Sequence, residues 1–244
     1  MQVIILAAGQ GSRIRDMHTL PKGFICLGNQ PIIQESIQIL KRFGVDDILI
    51  VTGYAANHYD SLVENDSALT TQFNPHFERY GSLYSLYCAK DWVKNDFLVL
   101  ESDIIYESSA IETIINDLHP NSILLSGDTH SGDEVYVQAH ERKLIRMSKQ
   151  KNQLAIDQIF GEFVGINKLS FRDFRQLMHQ LEQHPQQLQS GHYEEQGLVA
   201  MTAFTEIYCL KIPDLLWCEI DNRVQFENAK KLHQKIYLTQ KMIV

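Results

Sequence analysis

The sequence predicts an α/β domain: a mostly parallel sheet flanked by helices, with a smaller lid-like α+β part in its second half. Three observations carry this expectation. Continuous apolar, β-branched runs recur through the first half, as in strands buried on both faces. Segments with helical apolar spacing separate them. Glycines and short polar stretches stand at the junctions between the two kinds of segment.

Val3–Ala7 is the first such run. Pro31–Phe43 follows as a helix, with Ile32, Ile33, Ile37, Leu40 and Phe43 on one face, proline in the first turn and Gly44 as the stop. "DDILIVTGY" (Asp46–Tyr54) returns as a second buried strand, so the unit is strand–helix–strand with a right-handed crossover. Ser82–Val93 reads as a helix, Asp96–Tyr106 as a strand, Ser109–His119 as a helix and Asn121–Asp128 as a strand. This alternation is that of a Rossmann-like sheet. From about residue 129 the pattern shifts. "EVYVQAHERKLIRMSKQ" alternates like two strands and a turn, "EFVGINKLS" is a short strand, and "FRDFRQLMHQLEQH" is a helix. "HPQQLQSGH" is a polar surface loop, "TEIYCLKIPDLLWCEID" holds two short strands around Pro213, and "NRVQFENAKKLHQKIYLTQKMI" is a closing helix. No internal repeat is present. The chain is read as one domain, 1–244, with 129–218 as its lid-like, acceptor-binding part.

Composition narrows the function. With 244 residues, 44% hydrophobic and 21% charged, the chain has an ordinary globular balance. A formal net charge of -8 argues against a nucleic-acid partner, yet a locally positive pocket can still take a phosphate ligand. The four cysteines form no CxxC pair, so neither a zinc knuckle nor a disulfide framework is suggested. No apolar run approaches the roughly 20 residues of a membrane span. A cytoplasmic protein without membrane insertion is expected, and the sequence leaves its oligomeric state open.

The opening "MQVIILAAGQGSRIRDMHTLPKGF" holds the densest chemistry. Gly9, Gly11 and the small Ala7, Ala8 and Ser12 let backbone N–H groups approach an anion closely just after a strand. Arg13 and Lys22 add fixed positive charge, which suits a triphosphate and its departing pyrophosphate. Three alternatives compete. A dinucleotide G-x-G-x-x-G site would need a third glycine where Ile14 stands. A Walker loop has a different spacing. A plain strand–turn with a solvated arginine needs no ligand at all.

"LAAGQGSRIRDMHTLPKGF" and "PIIQESIQILKRFGVDDILIVTGY" resemble the signature segments of the sugar-nucleotide-type nucleotidyltransferases, over roughly the first 110 residues. "EIDNRVQFENAKKL" adds a weaker match. The Arg13-to-Lys22 interval departs from that signature by being one residue shorter. "YGSLYSLYCAK" and "FLVLESDIIYE" look like the phosphocholine and 2-aminoethylphosphonate cytidylyltransferases of that superfamily, and "HYEE" tilts toward the aminoethylphosphonate branch. The resemblance implies CTP as donor and Mg²⁺ as cofactor, the metal held by Asp103 and Asp221. Magnesium does favour one or two carboxylates plus phosphate oxygens; each aspartate is otherwise a helix or turn cap. Glu101 and Glu107 are set aside as ligands.

Leu6, Ala7, Ala8, Gly9, Gly11, Ser12 and Ser102 are expected to hold the nucleotide. Gly81 and Ser82 leave room for the base, although Ser82 is equally a helix cap and Tyr84 and Tyr87 equally core. An acceptor bearing an amine would use Tyr136, Glu162, Tyr193 and Glu194, aromatic for a quaternary ammonium and acidic for a primary one. The basic stretch Arg142, Lys143, Arg146, Lys149 and Lys151 is read as a solvated strand-and-turn face, with a phosphonate contact as the minority alternative. Two other functions stay open: sugar-1-phosphate nucleotidyl transfer, and a silent nucleotide-binding regulator, against which the joint presence of Arg13, Lys22, Asp103 and Asp221 speaks.

Overall fold

A computed structural model describes residues 1–188 and 192–242. Strand β1 (Gln2–Ala7) is buried along its whole length because it lies mid-sheet with helices on both faces. Its alternate residues enter two cores. Ile4 and Leu6 share one with Leu83 and Leu86, and Val3, Ile5 and Ala7 share the other with Ile33, Ile37 and Leu40. This explains why the strand reads as continuously apolar.

Helix α1 (Ile32–Arg42) leads to β2 (Asp47–Thr52), α2 (Asn57–Val63) and β3 (Leu69–Phe73). Helix α3 (Ser82–Cys88) precedes β4 (Phe97–Glu101). These four strands pair in parallel in the order β3-β2-β1-β4. Neither α2 nor β3 is legible as sequence, because β3, "LTTQF", is an edge strand with only Leu69 buried. The expected long strand 96–106 is broken. After Glu101 the chain turns at Ser102 and Asp103, and β5 (Ile104–Tyr106) leaves the main sheet.

Helix α4 (Ser109–Asn116), β6 (Ser122–Ser126), the hairpin β7 (Tyr136–His140) and β8 (Lys143–Ser148), and the long β9 (Ile159–Leu169) follow. Helices α5 (Phe171–Gln183) and α6 (Glu194–Met201), strands β10 (Tyr208–Ile212) and β11 (Trp217–Glu219), and α7 (Arg223–Met242) complete the described chain. The polar stretch expected as a loop holds a 3-10 turn at Pro185–Leu188, and residues 189–191 lie outside the described residues.

The expectation of a mostly parallel sheet is corrected. The nine-stranded sheet runs β3-β2-β1-β4-β9-β6-β10-β8-β7 and is mixed. Strand β9 is antiparallel to both β4 and β6, and β8 is antiparallel to β7 and β10; only β6–β10 adds a parallel pair in this half. The physical reason is the connection. Strand β9 arrives from the β7–β8 hairpin rather than through a helical crossover, so it enters the gap between β4 and β6 in the opposite direction. Because β9 and β10 belong to the main sheet, residues 129–218 do not lie apart from it as a lid-like body. Strand β11 pairs with β5 in a separate two-stranded ladder, Glu219 opposite Ile104. Among the described residues no helix is long and apolar enough to cross a membrane, and all four cysteines are free thiols.

Candidate active site

A cavity of about 1100 Å³ opens at the carboxyl ends of β1 and β4. The loop after β1 forms one wall, with Ala8 through Arg13 along it. Gly11 has φ 59°, and a Cβ there would come within 3.1 Å of Lys22 Cγ, so glycine both permits the left-handed turn and lets the loop close on the lysine. Pro21 sets up the short 3-10 turn that carries Lys22, with the Phe24 N–H donating to the Pro21 carbonyl at 2.8 Å. The Ser102 N–H donates to the Leu6 carbonyl at 3.1 Å, which fastens the Glu101–Asp103 turn beside the loop.

Asp221 is far from Asp103 in sequence yet next to it in space. The β5–β11 ladder brings their segments together, and the Ile220 N–H donates to the Asp103 carbonyl at 3.0 Å. The Lys22 ammonium pairs with both carboxylates, and the Arg13 guanidinium pairs with Asp221 and, at 3.2 Å, with Asp133. Burial opposes the charge on Lys22, but Asp103, Asp221 and Glu219 outweigh it and hold the ammonium above its ordinary pKa. Burial likewise opposes ionisation of Asp221, but Lys22 and Arg13 keep it below the usual carboxylate range.

Further carboxylates crowd this corner. Glu101, Asp103 and Glu219 can each turn an oxygen to within 4.8 Å of one another, and so can Asp133, Glu219 and Asp221. Burial, reinforced by Glu101, Asp103 and Asp221, pushes Glu219 up to about 10. The donor set is hard oxygen throughout, and a buried ammonium already stands among the carboxylates as their counter-ion. Both features fit a divalent cation such as Mg²⁺.

The opposite wall comes from α3 and the start of α6. Glu194 is 2% exposed; its carboxylate accepts from the Ser82 hydroxyl, and its N–H meets Ser82 Oγ at 3.1 Å. Burial and then Glu195 push Glu194 up to about 8, and burial together with Glu194 holds Glu101 well above its ordinary value. Glu194 Oε1 and Glu195 Oε2 are buried without a hydrogen-bond partner. Tyr193 lies at the mouth, about half exposed. Glu162 on β9 is buried, and both its oxygens accept from the Thr129 N–H at 3.0 Å.

Comparison with known proteins places this geometry. A MobA-like NTP transferase domain is matched over residues 3–185. The chain belongs to that family. A choline-phosphate cytidylyltransferase of Streptococcus pneumoniae is 33% identical over 109 residues, which is 44% of this chain and 47% of that one. The chain thus spans about half the length of that relative. A CTP:phosphoglutamine cytidylyltransferase of Campylobacter jejuni is 23% identical across 91% of this chain and 96% of its own. Among solved structures, the inositol-1-phosphate CTP transferase from T. maritima superposes with a TM-score of 0.80 at 19% identity, covering 96% of this chain and 95% of that chain. These structural likenesses show that the NTP transferase fold is shared.

Within this NTP transferase fold most residues singled out from sequence line one cavity. They are Leu6, Ala7, Ala8, Gly9, Gly11, Ser12, Arg13, Lys22, Gly81, Ser82, Ser102, Asp103, Glu162, Tyr193 and Asp221. Two are placed elsewhere. Tyr136, on β7, lies outside the lining with Lys151 Nζ 4.3 Å above its ring, because its strand directs it to that surface cation. Glu194 lies behind the wall, drawn to Ser82. Glu219 and Asp133, which also line the cavity, escaped the sequence reading, which sets Glu101 aside as a ligand and assigns Lys149 mainly to a solvated face. The signal was spacing. Glu101-Ser102-Asp103 and Glu219-Ile220-Asp221 are both E-x-D steps in which the glutamate ends a strand and the chain then carries the aspartate into the same corner. Of the basic stretch, Lys149 reaches the cavity and pairs with Asp133 at 2.8 Å, while Lys143 pairs with Glu206 on the surface.

Proposed function

We propose that the protein is a CTP-dependent cytidylyltransferase that activates a small aminoalkyl phosphate or phosphonate and releases pyrophosphate. One observation carries the reading: a single cavity joins a glycine-rich loop and two cations to a carboxylate cluster, and its far side holds Glu195, whose Oε2 is buried without a hydrogen-bond partner. The first part suits a nucleoside triphosphate with its metal, and the second suits a cationic head group. The names of the Streptococcus and Campylobacter relatives, which specify cytidylyl transfer, support CTP.

In this reading Leu6 to Ser12 and Ser102 hold the ribose and phosphates, and Gly81 and Ser82 border the base. Asp103 and Asp221, with Glu219 near, would hold Mg²⁺, whose charge neutralises the triphosphate. The acceptor's anionic oxygen attacks the α-phosphorus in line and the pyrophosphate oxygen departs. Lys22 and Arg13 exchange carboxylate partners for phosphate oxygens as charge moves onto the leaving group. No general base is needed, since the attacking oxygen is already ionised near neutral pH. Glu195 and Tyr193, which line the cavity, receive the ammonium end, with Glu194 behind them.

The test is pyrophosphate release with four nucleoside triphosphates against phosphocholine, phosphoethanolamine, 2-aminoethylphosphonate and glucose 1-phosphate. Turnover is expected with CTP and an ammonium-bearing acceptor. Equal turnover with UTP or ATP removes the cytidylyl assignment, and preference for glucose 1-phosphate favours the sugar-1-phosphate alternative.

A further inference from the structure

A second cavity, of about 640 Å³, is lined by α1, α7, β5 and the loop before α1. Its size is that of a small-molecule site. Among the described residues none lines both this cavity and the active-site one. Helix α1 turns one face to it, carrying Glu35, Ser36, Ile39 and Arg42.

Most polar groups here satisfy one another. His233 Nε2 meets the two Glu35 oxygens at 2.9 and 3.0 Å. Gly28 allows that pairing, because a Cβ there would come within 2.8 Å of His233 Cε1. The side-chain amides of Gln30 and Gln38 donate to each other, at 2.9 and 2.8 Å. Three groups remain. Tyr106 is 3% exposed, and its hydroxyl is buried without a hydrogen-bond partner. Burial pushes that phenol up, and the nearby Ser36 hydroxyl and Arg42 charge pull it back only in part. Arg42 forms no ion pair among the described residues.

A buried hydroxyl without a partner costs stability, and phenylalanine would fill the same space without that cost. The fold alone therefore gives the Tyr106 hydroxyl no use. Arg42, in the last turn of α1, is favoured by the helix dipole, but that accounts for Arg42 and not for the phenol. An arginine fork and two hydroxyls can all donate, which suits the oxygens of an anion. One unpaired cation matches one negative charge, and a phosphate dianion would be left half compensated. Glu35 is tied to His233 and stands seven residues from Arg42, about 10 Å along the helix, so it does not compete for the fork. The rest of the lining is largely aliphatic, with Ile32, Ile39, Ile104 and Ile236.

We propose that this cavity is a second ligand site, separate from the active site, that takes a small carboxylate with an aliphatic body. Arg42, Tyr106 and Ser36 hold the carboxylate, and the isoleucines enclose the body. The site does not depend on which transfer reaction the protein performs.

Isothermal titration calorimetry on the full chain, with octanoate as the probe, tests it. A single site is expected, with Kd below about 1 mM. Octanol and octylammonium should bind about tenfold more weakly or worse, because neither brings a negative charge to Arg42. Octyl phosphate should also be weaker than octanoate, and tighter binding of octyl phosphate overturns the carboxylate class. Arg42→Ala should lose about tenfold or more and Tyr106→Phe about fivefold, the scales of a charged and a neutral hydrogen bond. Lys22→Ala, which alters only the other cavity, should leave Kd unchanged; a loss there would place octanoate in the active site and overturn the proposal. Tyr106→Phe also separates a ligand role from a structural one. Without octanoate its Tm should equal or exceed that of the wild type, since no internal hydrogen bond is lost. A lower Tm would mean that the hydroxyl has a partner within the fold. That result, or no heat of binding at about 5 mM octanoate, well above the expected Kd, overturns the site.

Discussion

Lys22 pairs with Asp103 and Asp221, and its bland alternative, a solvated loop lysine, is excluded by that pairing and by its burial. Pro21 stiffens the approach, so the ammonium is delivered to one place. On the proposed mechanism its charge would be needed most as pyrophosphate departs, an interaction that strengthens in the transition state. Lys22→Ala should therefore lower kcat by about a hundredfold or more, on the order of 3 kcal/mol, with a smaller rise in KM for CTP. Lys22→Arg should recover only part, because a planar fork cannot replace a compact ammonium between two carboxylates. An alanine variant with unchanged kcat and only a raised KM would confine Lys22 to ground-state binding. Asp103→Asn and Asp221→Asn should each cost a similar factor in kcat, with far-UV circular dichroism unchanged; full activity with Mg²⁺ in either would remove that residue from the metal site. At this scale the sequence nominated Arg13 and Lys22 from their charge beside the glycine loop, and Asp103 and Asp221 through the family resemblance; the structure brings the four side chains together. The sequence was opaque at Glu219, whose role comes from lying two positions before Asp221 on a strand end that only the β5–β11 pairing brings to Asp103.

Elements were legible in proportion to how their burial shaped their sequence. Strands β1, β2 and β4 are buried on both faces and read as apolar runs, while β3, an edge strand, left no such trace. The direction of β9 was hidden because direction depends on the connection and not on the strand's own residues. The start of α6 shows an element poised by electrostatics. Glu194, its first residue, is pushed up to about 8 by burial and Glu195. Between the ordinary carboxyl range and about pH 8, the folded chain therefore keeps a proton that the unfolded chain releases. Its stability contribution is whole at low pH and is lost as pH rises through that window. Glu194→Gln keeps the shape without the ionisation. In chelator, the variant should match the wild type in Tm at pH 5 and exceed it at pH 8, on the order of 5 °C. A Tm gap that is the same at both pH values would show that Glu194 does not change its protonation between them, against the upward shift.

On the scale of the whole molecule, the cavity is assembled from segments that span the chain: the loop after β1, the start of α3, the end of β4, the loop before β7, β9, and the stretch from β11 into α7. Sequence could nominate pieces of this site, the glycine loop from its own residues and the two aspartates through the family resemblance. It could not show that α3 and α6 meet through Ser82 and Glu194, a contact made only after the sheet has closed. Such an assembly ties ligand binding to global stability. A ligand that bridges the β1 loop, the Asp103 turn and Asp221 binds only when all three are in place, so the unfolded chain has no affinity for it. At a free concentration of about 100 Kd that linkage is worth roughly 2.7 kcal/mol, or about 5–10 °C in Tm for a chain of this size. CTP with Mg²⁺ should produce that rise in differential scanning fluorimetry, ATP with Mg²⁺ should produce little, and chelation should remove most of the CTP effect. Asp221→Asn should lose most of the shift as well, because on the proposed reading its carboxylate, just before α7, would hold the metal. A CTP shift of full size in chelator would mean that the carboxylate cluster takes no part in holding the nucleotide, and Asp103 and Asp221 would then serve only as partners of Lys22.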